Sequence, residues 1–229
     1  MRKNIIIMAL VALTLASCEE KSEKDTSYAP PQDLVLNSDI MTPEVLWSMN
    51  RLGEYAVSPD GKHVVYNLTY FNIPENKSKT DIYIIDIDGN NNRCLTKSFS
   101  NELSPTWNKD GSKILFMCAD SGDMQVWEMN PDGSERKQVS FVEGGITGFK
   151  YSPDESQLLF TAEVKLKDNV ADIYPDLPLS SGRVNNDLMY RHWDQWVDTY
   201  GHIFVTSDNG KIKLDIMEGE MWEAPVRPW

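Results

Sequence analysis

The sequence predicts an all-β fold assembled from repeated four-stranded antiparallel units. Three observations predict it. A tight-turn motif recurs three times, a second hairpin motif is interleaved with it, and the spacing of both is nearly constant. The first motif runs Tyr55 to Tyr66, Pro105 to Phe116 and Phe149 to Phe160, each an apolar strand, a turn and another apolar strand. Its turns read Ser58-Pro59-Asp60-Gly61, Asn108-Lys109-Asp110-Gly111 and Ser152-Pro153-Asp154-Glu155. Proline pre-sets φ, aspartate bonds its own backbone, and glycine relieves crowding at the fourth position. Glu155 replaces that glycine in the third copy, which a type I turn tolerates. The aspartates lie 50 and then 44 residues apart.

The second motif is Asp81 to Gly89, matched by Gln125 to Gly133, with Asp88 and Asp132 again 44 residues apart. His202 to Gly210, followed by Lys211 to Met217, is a looser third copy. Asp-Gly or Asn-Gly between strand-like runs is a strong hairpin signal. Two hairpins per repeat make four short strands, the unit of a β-propeller blade. One blade cannot bury both faces, so neighbours stack around an axis. The chain supplies about three blades, and a propeller closes with no fewer than four. A β-sandwich with coincidental turns is the alternative, and two interleaved registers argue against it.

Composition sets limits. The chain has 229 residues, 41% hydrophobic and 25% charged, with 7 Trp, 9 Tyr and 7 Phe to build a core. A mean hydropathy of -0.44 excludes a protein of many membrane spans. The formal charge of -13 repels phosphate backbones and argues against nucleic-acid partners. Three histidines, with no His-x-x-x-His pair, leave little for a zinc site. The run Asp86, Asp88 and Asn90 to Asn92 lacks the order of a calcium loop and reads as a solvated hairpin tip. Neither a metal nor a cofactor is expected.

Arg2 and Lys3 precede an apolar run, Ile5 to Leu15, too short to span a bilayer but suited to a secretory signal. Its end, Leu15-Ala16-Ser17-Cys18, resembles a bacterial lipobox, so residues 1–17 are expected to be a lipoprotein signal peptide and Cys18 the lipidated residue. Residues 18–38, polar and carrying Pro30-Pro31, read as a lipid anchor and flexible tether. The expected location is the cell envelope, on the periplasmic side or the outer surface. Residues 39–229 then form the incomplete propeller.

A helix is expected to open that domain. Thr42 caps it, Pro43 takes the first turn, Glu44 complements the dipole, and Gly53 ends it. Val45, Leu46, Met49 and Leu52 would share one face, covering a sheet edge or the propeller mouth. Cys94 and Cys118 sit at strand margins of different blades and are expected as packed free thiols.

The repeat breaks at an insertion, residues 163–201. Long insertions in repeat arrays form loops on one face, often the binding face. This one gathers Arg191, His192, Trp193, Asp194 and Trp196. Aromatics offer apolar walls, carboxylates hold an α-amine, and arginine holds a carbonyl or carboxylate. These five are the candidate substrate-binding residues. The other reading packs Trp193 and Trp196 on a short helix, with Arg191 and Asp194 paired at i,i+3. Both readings stay open.

The opening Met41-Thr42-Pro43-Glu44-Val45-Leu46-Trp47, the turn repeats, the insert Tyr190-Arg191-His192-Trp193-Asp194-Gln195-Trp196 and the closing Gly219 to Pro225 carry a likeness. Together they resemble the N-terminal propeller of prolyl oligopeptidase family serine peptidases, in the bacterial dipeptidyl-peptidase and acylaminoacyl-peptidase-like branch. The resemblance implies peptide substrates and an α/β-hydrolase domain with a Ser-Asp-His triad downstream. No Gly-x-Ser-x-Gly occurs in the chain, so no catalytic residue is carried over, and the chain is expected to be a truncated piece, inactive alone. Envelope propellers of the Tol system share the turn repeat. A Tol-like binding module without catalysis is the alternative.

Overall fold

A computed structural model describes residues 38–165, 168–183, 191–192, 194–211 and 213–224. Three four-stranded antiparallel sheets follow one another along the chain, with strands adjacent in chain order. The first holds β1 (Arg51–Val57), β2 (His63–Asn72), β3 (Lys77–Asp86) and β4 (Arg93–Cys94). The second holds β5 (Glu102–Trp107), β6 (Ile114–Cys118), β7 (Gln125–Met129) and β8 (Lys137–Gln138). The third holds β9 (Gly148–Tyr151), β10 (Leu158–Lys165), β13 (Thr199–Thr206) and β14 (Leu214–Asp215). A separate hairpin, β11 (Arg191–His192) with β12 (Gln195–Trp196), lies between β10 and β13 in sequence.

The repeated turns form as their chemistry requires. In the first, Gly61 N donates to Ser58 O at 2.9 Å and Asp60 Oδ1 accepts from Ser58 Oγ at 2.7 Å. The third repeats this circuit, with Glu155 N to Ser152 O at 2.8 Å and Ser152 Oγ to Asp154 Oδ1 at 2.6 Å. Bonds from the Ser152 and Ser156 hydroxyls bring the Asp154 carboxyl down to about 2. Gly61 and Gly111 take φ of 72° and 76°, and Glu155 takes 60°, so the fourth position is left-handed in every copy. Glu155 therefore carries backbone strain that glycine would not. Its carboxylate has a use there: Oε1 accepts from Lys109 N at 2.6 Å, tying the third turn to the second.

Two apolar seams join the sheets. Val65, Ile82 and Ile84 pack on Ile114, Phe116, Cys118 and Met129 between the first and second. Met117 and Val126 meet Leu158, Phe160, Ala162 and Phe204 between the second and third, with Val142 and Ile146. Burying each such large side chain contributes about 1.5–3 kcal/mol.

The helix, α1 (Pro43–Ser48), starts as expected, with the Thr42 side chain accepting from Val45 N at 3.3 Å. It does not run to Gly53. Met49 already has extended backbone, and Arg51 to Val57 form β1. Gly53 instead sits at a register shift in that strand, where a Cβ would lie 2.1 Å from Asn67 Oδ1. Trp47 of α1 packs edge-on against Phe71 of β2, ring centroids 5.1 Å apart, so the helix covers the end of the first sheet. Cys94 and Cys118 are free thiols, Cys118 buried. Asp86 holds His63 Nδ1 at 2.9 Å and Asn91 Nδ2 at 2.6 Å, fixing the exposed hairpin tip.

Candidate functional site

The first strand of each sheet is an edge strand, and the three converge. β1, β5 and β9 line one cleft of about 910 Å³. Glu54, Tyr55, Trp107, Lys109, Phe149 and Lys150 are among its walls. Trp107 Nε1 donates to Ala56 O at 3.1 Å, and this bond holds β5 against β1. The register slips at Leu52/Tyr55 in β1 and at Leu103/Thr106 in β5, so both strands bulge at matching places. Ser104 takes φ of 51° to make the second bulge. Bulges leave backbone groups without a ladder partner, and the bulge residues Gly53, Glu54, Ser104 and Pro105 line the cleft beside aromatic rings and both signs of charge. Burial and the nearby Glu128 and Glu155 charges push the Tyr151 hydroxyl up, so it stays a neutral wall.

The insertion leaves the third sheet between β10 and β13. The ladder of that hairpin runs further than the sequence predicts: Glu163, Val164 and Lys165 pair with Gly201, Tyr200 and Thr199. The excursion proper is therefore residues 166–198. It opens with α2 (Val170–Ile173), started by an Asn169–Asp172 capping box and tied to β10 by a Lys165–Asp172 ion pair.

The candidate residues meet on the β11–β12 hairpin, with Arg191 opposite Trp196 and His192 opposite Gln195. Asp194 is exposed at its tip. This corrects the short-helix reading of the segment, whose described residues form two paired strands. Trp193 and Cys18 lie outside the described residues.

Trp196 is 38% exposed, and its ring lies 4.9 Å from the Arg183 guanidinium. That guanidinium also donates to both Asp198 oxygens, each at 2.5 Å. Sequence reasoning missed Arg183, which sits in no periodic run. It also missed the cleft, although a signal existed: the residue three before each turn aspartate is Val57, Trp107 and Tyr151, and the last two line the cleft. His202, in β13, is buried with Nδ1 2.9 Å from Asp215 Oδ2, inside the sheet and away from the hairpin register.

Successive four-stranded sheets with their first strands around one cleft define a β-propeller. The family described as the TolB beta propeller domain matches residues 44–184, and the chain belongs to it. Its sequence is also similar to peptidases. It is 42% identical over 232 residues to Dipeptidyl-peptidase 5 of Porphyromonas endodontalis, covering 99% of this chain and 33% of that protein. Dipeptidyl-peptidase 5 of Porphyromonas gingivalis is 46% identical over 192 residues, 82% of this chain and 28% of the relative. The chain thus spans about a third of the length of these relatives. Among solved structures, acylaminoacyl peptidase of Pyrococcus horikoshii aligns with a TM-score of 0.55 at 17% identity, over 74% of this chain and 25% of that one. At that identity the likeness is one of fold.

Proposed function

We propose that this propeller binds and gates peptide substrates for an α/β-hydrolase domain belonging to the same longer protein, a lipid-anchored serine exopeptidase of the cell envelope. The observation that carries the reading is the 42% identity to a dipeptidyl-peptidase along 99% of the chain. The cleft lined by β1, β5 and β9 supports it, because its strand edges and aromatic walls suit an extended peptide. Arg191, His192, Trp193, Asp194 and Trp196 supply the contacts of the excursion. The basic start, apolar run and Leu15-Ala16-Ser17-Cys18 support anchoring through Cys18.

The test is made on the full-length gene product. It should release a dipeptidyl reporter group, and a serine-directed phosphonate should block that release. Its Cys18→Ser form should leave the membrane fraction and keep the activity. Failure to cleave both dipeptidyl and acylaminoacyl reporters would sink the peptidase reading. Such a result would favour a Tol-like binding module without catalysis.

A further inference from the structure

We infer that Arg183 is a positioning residue for peptide recognition: it ties position 183 to the edge of the third sheet at Asp198 and holds the β11–β12 hairpin ready to bind. This rests on the reading of that hairpin as a peptide contact. Asp198 directly precedes β13, whose first residue, Thr199, is already locked to Lys165 in the third sheet. The carboxylate is therefore fixed to rigid scaffold. Arg183 reaches it with both arms of the guanidinium, Nη1 to Oδ1 and Nη2 to Oδ2. The same planar group lies over the Trp196 ring, which is the end of β12 and the cross-strand partner of Arg191. One side chain thus fixes residue 183 to the sheet and to the hairpin together. Only arginine does this well, because its fork matches a carboxylate and its flat face stacks on an aromatic ring.

A recognition loop held in its bound shape loses less freedom when a ligand arrives. The clamp should then act on binding and not on the chemical step. It should do so without touching the peptide, since the guanidinium is occupied on its edge by Asp198 and on its face by Trp196.

The experiment uses the full-length protein with Arg183→Gln, Arg183→Lys and Trp196→Ala, and two readouts. Steady-state cleavage of a dipeptidyl reporter gives KM and kcat, and hydrogen exchange follows the amides of residues 191–196. Arg183→Gln should raise KM about tenfold with kcat within about twofold, as expected for lost preorganisation. It should also speed exchange at the hairpin. Arg183→Lys should fall between, keeping the charge but not the fork. Two results overturn the inference. One is an unchanged KM in Arg183→Gln while Trp196→Ala raises it, which leaves the hairpin as a contact but removes the clamp. The other is a parallel fall in kcat and melting temperature, which marks a purely structural pair. An unchanged KM in Trp196→Ala as well would remove the hairpin reading itself.

Discussion

The two seams of this propeller are built from similar apolar residues and differ in what else they bury. Between the second and third sheets the contact is hydrophobic, with His202 and its Asp215 partner at the margin and the His202 Nε2 atom buried without a hydrogen bond. Between the first and second sheets lies a network of charge. Lys79 Nζ reaches Asp81 Oδ1 at 2.7 Å and Glu102 Oε2 at 3.1 Å, and all three side chains are at least nine-tenths buried. Arg136 Nη2 adds a bond to Glu102 Oε1 at 3.2 Å, while Nη1 pairs with Asp120. The Arg136 guanidinium also covers the Trp127 ring at 4.8 Å, and the Tyr70 hydroxyl donates to Asp81. Apolar contact gives both seams their strength. The first adds directional bonds that depend on one relative placement of the sheets, although Arg136 Nε is buried there without a partner. Buried ion networks of this kind add little net stability, but breaking one is costly.

The sharpest way to break this contrast is to exchange shape-matched side chains at each seam. Lys79→Met keeps the stem and removes the charge, leaving Asp81 buried without its cation and Glu102 with Arg136 alone. It should cost about 3–5 kcal/mol. Met117→Leu, in the apolar seam, should cost less than about 1.5 kcal/mol. Urea unfolding midpoints compare them, and equal losses would show that the ionic network fixes nothing.

Glu102 sharpens the same comparison through pH. The network holds two cations, Lys79 and Arg136, against three carboxylates, Asp81, Glu102 and Asp120. Burial, the dominant cause, raises the Glu102 pKa in spite of the bonds from Ser98 and Lys79. The folded state then binds this proton more readily than the unfolded one. From about pH 4.3, the ordinary glutamate value, up to the raised one, that group makes stability fall as pH rises. Glu102→Gln should flatten this slope and cost less than Lys79→Met. The turn aspartates Asp60, Asp110 and Asp154 are shifted the other way, so their contribution is full above about pH 4 and is lost as pH falls through their lowered values, about 2 for Asp154. Denaturant titrations at stepped pH separate the two windows, and an identical profile in Glu102→Gln would rule out the raised carboxyl.

The smallest effects lie at the turns. Gly111→Ala, at φ 76° with Pro59 Cδ 3.2 Å from the new carbon, should cost about 1 kcal/mol. Glu155→Gly relieves the same strain but gives up the bond to Lys109 N, so it should stay within about 0.5 kcal/mol of wild type. Thermal melts of the pair check this.

Local chemistry was readable in the sequence. The aspartate turns, the Asp-Gly hairpins and the Thr42 cap each need only a few neighbouring residues, and the structure shows each of them. Gly53 was misleading because a glycine after an amphipathic run reads as a helix end, whereas here it admits Asn67 across a bulge. The charge network around Glu102 was not readable. Lys79 and Glu102 are 23 positions apart, and Glu102 and Arg136 34, with no periodicity joining them. The hairpin residues were found by composition, but Arg183, which holds them, looks like any polar loop residue until the chain folds back on Asp198.

The β10–β13 ladder keeps eight consecutive pairs in register up to the point where the excursion departs. The scaffold on either side of that junction is complete without the chain between. Such a socket would let the inserted segment be exchanged while the blade beneath keeps its shape, and it marks the junction after Lys165 and before Thr199 as the place to graft a different recognition loop.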